Sequence, residues 1–250
     1  YECYGGQSRF PDSFDDMMIA VDKSDAAEFS IDEILNPSGW VLLNYLMDSR
    51  TGLGRFREFR ISNYQLMEEL INHCRNMRIG EILEQPDVKE RVELYFEQTR
   101  RFTEMVHTHT KVEQNVIVTD LRDVSPIYTG NRFLVYSLYP EQNVSVWIVD
   151  GRQKQNVSIA CGYSILNRTC AVDIGALMLK HGGGGHRMVG TCQVPYSEAD
   201  DRIREIIERH STPNTHAHVT NEAIFLPLEP TPASLALLAR YQASAATLGM

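Results

Sequence analysis

Apolar residues in the first 110 positions recur at three- and four-residue intervals. From residue 115 onward they crowd into short runs, so the chain reads as helical first and sheet-forming later. Phe14, Met17, Met18, Ile19 and Val21 predict a helix that Asp12 or Ser13 can cap and that runs to about residue 21. Trp40, Val41, Leu42, Tyr45 and Leu46 predict a second helix, with Ser38 as its cap. Ser62 opens an amphipathic third through Ile71. Pro86 and Asp87 open a long fourth, striped by Val88, Val92, Tyr95, Phe96 and Phe102 and ending near His109, where His107 and His109 read as helix-end residues. Strands are expected at 116–119, 132–138, 144–149, 156–162 and 189–194, with Asp150-Gly151 as a turn signal. Asp173 caps a short apolar helix over 174–179, and Ser197 caps a closing helix over 198–210.

The pattern predicts a fold of the α/β to α+β class. Residues 115–210 form a compact α+β domain, with a mainly antiparallel sheet and helices on one side. Composition then shifts. Ser211 to His216 reads as a linker, 223–228 as an edge strand barred from a sheet interior by Pro227, and 232–248 as an Ala- and Leu-rich helix that packs on the body or forms a dimer element.

Composition narrows the class. The chain has 250 residues, 43% of them hydrophobic, and a formal net charge of −9. Such acidity disfavours non-specific duplex binding, which relies on Lys and Arg against phosphates. It leaves room for a local cationic pocket in an enzyme acting on phosphates. No apolar run approaches the roughly 18 residues of a membrane span. No basic-then-apolar leader opens the chain, and the five scattered cysteines form no CxxC pair, so a cytoplasmic protein with reduced thiols is expected. The opening Tyr1-Glu2-Cys3-Tyr4 suggests a start inside a longer protein.

The candidate chemistry centres on His181-Gly182-Gly183-Gly184-Gly185-His186-Arg187. Consecutive glycines can aim several backbone N–H groups at one point and form an anion nest, and the flanking His and Arg add donors. The competing reading is a long turn that tolerates glycine. GxSxG, Walker A and GxGxxG patterns are all missing. His181, His186 and Cys192 match no common zinc spacing. Asp22 and Asp25, three apart on a helix, share one face and either reach a common metal ion or form a solvated helix end. The loop Asp48 to Gly54 either contacts substrate or only joins helices, and Tyr163 and Tyr196 either stack a base or belong to the core.

Gly182–His186 followed by Val189-Gly190-Thr191, with Ser164 to Thr169 upstream, resembles the GGGGH signature of the domain that accompanies the DHH phosphoesterase superfamily. The segments around Asp22 and Asp48 to Gly54 are similar to stretches of its exopolyphosphatase-related members. The resemblance covers about residues 1–210. It implies the end of a catalytic domain over 1–85, a linker helix over 86–110, a substrate-binding domain over 111–210 and a tail over 211–250. It implies that Gly182, Gly183, Gly184, Gly185 and His186 bind a substrate phosphate with Arg168 paired to it, since a guanidinium fork matches phosphate oxygens. It implies an oligonucleotide, cyclic dinucleotide or polyphosphate substrate and a Mn²⁺ or Mg²⁺ pair with Asp22, or its rival Asp25, as ligand; a homodimer is expected only from the tail, as one way of covering it. The DHH triplet and the DxDG motif do not occur, so most metal ligands are expected outside this chain. The alternative is a non-catalytic module that binds nucleotide or nucleic acid.

Overall fold

The computed structural model describes residues 1–211; the expectations for residues 212–250 lie outside the described residues. The first half is helical. Helices α1 (Ser13–Ala26), α2 (Ile31–Leu35), α3 (Gly39–Met47), α4 (Asn63–Asn76) and α5 (Ile79–Leu83) lead into the long α6 (Pro86–His109). Local chemistry sets several of these ends. Ser30 and Ser62 each form a reciprocal capping box, with Glu33 and Gln65 respectively. Pro86 sits in the first turn of α6, where its missing N–H leaves no bond unmade. Ser38 occupies the position before α3 but makes no side-chain cap bond, and neither does Asp12 before α1.

The second half is a six-stranded sheet. Its strands are β1 (Thr110–Glu113), β2 (Val116–Asp120), β3 (Val144–Asp150), β4 (Val157–Tyr163), β5 (Gly184–His186) and β6 (Val189–Val194), in the order β1-β2-β3-β4-β6-β5. All pairings are antiparallel except β2 with β3. Between strands lie α7 (Leu134–Leu138) and α8 (Ile174–Lys180), and α9 (Tyr196–His210) closes the described chain.

Three expectations are corrected. The strand expected over 132–138 is helix α7. A parallel β2–β3 pair cannot be joined by a hairpin, so residues 121–143 cross over and α7 lies in that crossover. Leu134, Val135 and Tyr136 are consecutive and all buried, a pattern that a strand with one solvated face does not give. Ser197 lies inside α9 instead of capping it, because the helix starts at Tyr196 behind Pro195. Helices also pack on both faces of the sheet, not one. Val116, Val118, Val146, Ile148, Ile159, Cys192 and Val194 join α8 and α9 in one core. On the opposite face Ile117, Trp147 and Val149 join the helical half in the other.

The long helix is pinned at its start by Arg91, whose side chain is fully buried. It donates to Asn63 Oδ1 at 2.9 Å, the Asp87 carbonyl at 2.6 Å and the Ile61 carbonyl at 2.7 Å. The guanidinium lies 4.0 Å from the Phe59 ring centroid. Asp87 is bound in turn by Arg60, which holds its carboxyl below the usual range.

Candidate functional site

A cavity of about 690 Å³ opens between the helical half and the sheet. Its floor follows from strand register. Directly opposed residues point to the same face. One cross-strand row runs Ile117, Ser145, Gly162, Val189, His186, and the next runs Thr119, Trp147, Ala160, Thr191, Gly184. Small residues at Ala160 and Gly162 hollow the middle of both rows, and Trp147 stacks with Phe102 from α6 at 6.1 Å between centroids. Tyr136 from α7 hydrogen-bonds Ser145 at 2.8 Å, and burial pushes its phenol up to about 12 against the opposing bond from Ser145.

The walls carry charge of one sign. Arg50, Arg55, Arg132 and Arg168 line the cavity, and among the described residues no Asp or Glu does. A cationic hollow in a chain of net charge −9 is a concentrated departure from its average. Each arginine is held differently. Arg50 donates Nε to Asp48 at 2.8 Å. Burial alone would raise the Asp48 carboxyl, but the Arg50 bonds hold it below the ordinary range. Arg55 Nη2 reaches the Ile127 carbonyl. Arg168 donates Nη2 to the carbonyls of Ala26 and Ala27, at 3.0 Å each, and Nε to Ile165 at 3.1 Å. Arg132 makes no hydrogen bond or ion pair among the described residues and lies 4.3 Å from the Phe133 ring centroid. Burial, reinforced by Arg50, lowers its affinity for its proton.

The glycine run is more ordered than a flexible loop. Gly182, at φ 75°, follows the helix cap at His181 and closes α8 by donating to the Leu179 carbonyl. The Gly183 N–H donates to Met178, and its Cα lies so close to β6 that a Cβ would overlap the Thr191 carbonyl. Gly184 and Gly185 belong to strand β5. A four-amide nest is therefore not formed, because the first two amides are committed to α8. Gly184 differs from its neighbours: a Cβ there would meet nothing within 4 Å. With His186 it ends the two rows whose middle residues floor the cavity, but neither Gly184 nor His186 lines that cavity. A smaller hollow of about 350 Å³ lies beside the run, lined by Asp173, Gly175 and Gly184 to Arg187.

The other candidate residues are dispersed. Asp22 and Asp25 are exposed near the end of α1, whose last residues border the cavity. No group of three or more His, Cys, Asp or Glu able to share a metal ion occurs among the described residues. Two carboxylates from one helix do not make a two-metal set, so these residues alone do not fit the implied Mn²⁺ or Mg²⁺ pair. Tyr163 lines the cavity and donates to the Val172 carbonyl at 2.6 Å, whereas Tyr196 is bound to Asp150. Arg55 and Arg132 escaped the sequence reading. No local motif marks them, and only the crossover and the 3₁₀ turns after α3 bring them together.

No family model and no curated protein matches the chain. A solved structure does: the pGpG-specific phosphodiesterase PggH from Vibrio cholerae, at 50% identity and TM-score 0.79, covering 83% of this chain and 70% of that one. This chain belongs to the DHH phosphoesterase superfamily. An exopolyphosphatase-related protein from Bacteroides fragilis also matches, at 14% identity and TM-score 0.36 over 59% of this chain and 45% of that one, too distant to carry an argument. No described helix of this superfamily member is long and apolar enough to cross a membrane.

Proposed function

We propose that the chain is part of a phosphodiesterase for short linear oligonucleotides of the pGpG kind, held in the cavity between the helical half and the sheet. One observation carries the reading: among the described residues, four arginines and no carboxylate line a cavity whose floor is aromatic and apolar. Guanidinium groups suit phosphate oxygens, and Trp147, Phe102 and Tyr128 offer surfaces to nucleobases. The likeness to PggH supports the same class.

On this reading Arg50, Arg55 and Arg132 receive phosphates from the helical side. Arg168 receives them from the sheet side, with Gly184 and His186 further along the same cross-strand rows, and the apolar floor excludes water. A Mn²⁺ or Mg²⁺ pair would supply the activated water. Asp22 or Asp25 is proposed as one of its ligands.

The test is a turnover assay on the whole protein with Mn²⁺, using pGpG, a cyclic dinucleotide and polyphosphate. Hydrolysis of pGpG to mononucleotides in preference to the other two supports the proposal. Tight binding of pGpG without hydrolysis moves the reading to a nucleotide-binding module.

A further inference from the structure

Among the cavity's four arginines, Arg132 is the one whose donors are all unused within the described chain. Arg50, Arg55 and Arg168 each hold a carboxylate or carbonyl. Arg132 is half-buried, its Nε is screened from solvent, and it has no hydrogen-bond partner. Placing an unpaired guanidinium there is costly unless an anion completes it.

Its surroundings are poor in acceptors and rich in donors. Asn131 Oδ1 accepts from the Phe133 N–H, which leaves its amide Nδ2 buried and unpartnered. Tyr45 Oη, also buried, lies beside the Asn131 amide and Arg132 and accepts no hydrogen bond from Arg132. Arg50 adds a second positive charge, and among the described residues Asp48 is the carboxylate that offsets it. The pair therefore keeps an excess of positive charge. A phosphomonoester carries nearly two negative charges at neutral pH and three terminal oxygens. An internal phosphodiester carries one charge and has two substituents that must leave the site. With Arg50 beside it, Arg132 suits the doubly charged end group better than the singly charged link.

We propose that Arg132, supported by Arg50, is the seat of the substrate's terminal phosphomonoester and selects 5′-phosphorylated dinucleotides over those without that phosphate. The proposal deepens the reading of the cavity as an oligonucleotide site and rests on it.

The experiment is calorimetric binding of pGpG and of GpG to the whole protein without divalent metal, for the wild type, Arg132→Gln and Arg132→Lys. The wild type is expected to bind pGpG at least about tenfold more tightly than GpG, the scale of a charged hydrogen bond. Arg132→Gln is expected to remove that gap by weakening pGpG alone, and Arg132→Lys to restore part of it. Equal wild-type affinities overturn the subsite, and so does a Gln variant that weakens both ligands equally. If the Gln variant loses its fold by circular dichroism, the wild-type comparison and the Lys variant still decide. Failure of the wild type to bind either dinucleotide overturns the oligonucleotide reading itself, an outcome distinct from equal binding.

Discussion

Arg168 donates from one Nη2 to the carbonyls of both Ala26 and Ala27, 3.0 Å each, so a residue beyond the fourth strand holds the end of the first helix. Charged donors on two carbonyls form a firm but exchangeable clasp, because Arg168 itself is exposed. A substrate phosphate would compete for the same fork. Arg168→Ala is therefore expected to weaken pGpG binding by about 1–3 kcal/mol while costing under about 1 kcal/mol of folding stability. Calorimetry and urea unfolding on one preparation check the split. A large stability loss with unchanged affinity would make the clasp purely structural.

The glycine run yields a paired prediction. Gly183→Ala places a methyl group on the Thr191 carbonyl, whereas Gly184→Ala places one in open space. The first is expected to lower stability by about 2 kcal/mol or more, the second by less than about 0.5 kcal/mol. If the cavity floor reaches β5 as a substrate wall, the Gly184→Ala protein should keep its Tm and show a raised KM. An unaltered KM would confine the role of β5 to structure.

His210 gives a pH dependence with a definite sign. Its side chain is buried and both ring nitrogens lack partners. Burial brings its pKa down to about 4 from the ordinary 6.5. The folded state thus resists protonation that the unfolded state accepts. The contribution is fully present above pH 6.5, falls as pH drops from there toward 4, and levels off below. The loss is on the order of 3 kcal/mol. Urea midpoints between pH 7.5 and 4 should show a decline that His210→Gln reduces, and a parallel decline in both proteins would refute the assignment.

Arg91 tests the join between helices. Arg91→Ala leaves Asn63 and two carbonyls without their buried donor. The expected cost is about 3–5 kcal/mol. Arg91→Met, which keeps the volume over Phe59, should recover part of it. Thermal unfolding of both variants decides, and a loss below about 1 kcal/mol for Ala would show that packing alone seats α6.

Much of this was legible in the residue pattern because the signals were local. The Asp173 cap, the Ser62 start, the Pro86 start and the runs at Val116, Val144 and Val189 each carry their cause within a few residues. What was hidden depended on distant partners. Leu134 to Leu138 has strand-forming residues, yet the parallel neighbours on either side require a crossover, and tertiary burial outweighs propensity. The glycine run was legible as special, but its individual roles were not. A turn behind the helix cap at Gly182, a close backbone approach at Gly183 and an open surface at Gly184 look alike in sequence. Arg132 was overlooked because its meaning lies in lacking a partner, a property of three dimensions.

The single parallel pairing in the sheet has a consequence for how such a protein can change. Because β2 and β3 run the same way, residues 121–143 must travel from one end of the sheet to the other, and that excursion supplies Ile127 to Phe133 of the cavity wall. Only its ends, Leu121 and Asn143, share backbone hydrogen bonds with the sheet and the turns beside it among the described residues. Insertions and replacements there can redraw what the cavity accepts while the scaffold stays intact, so divergence in substrate preference among relatives should concentrate in this one excursion.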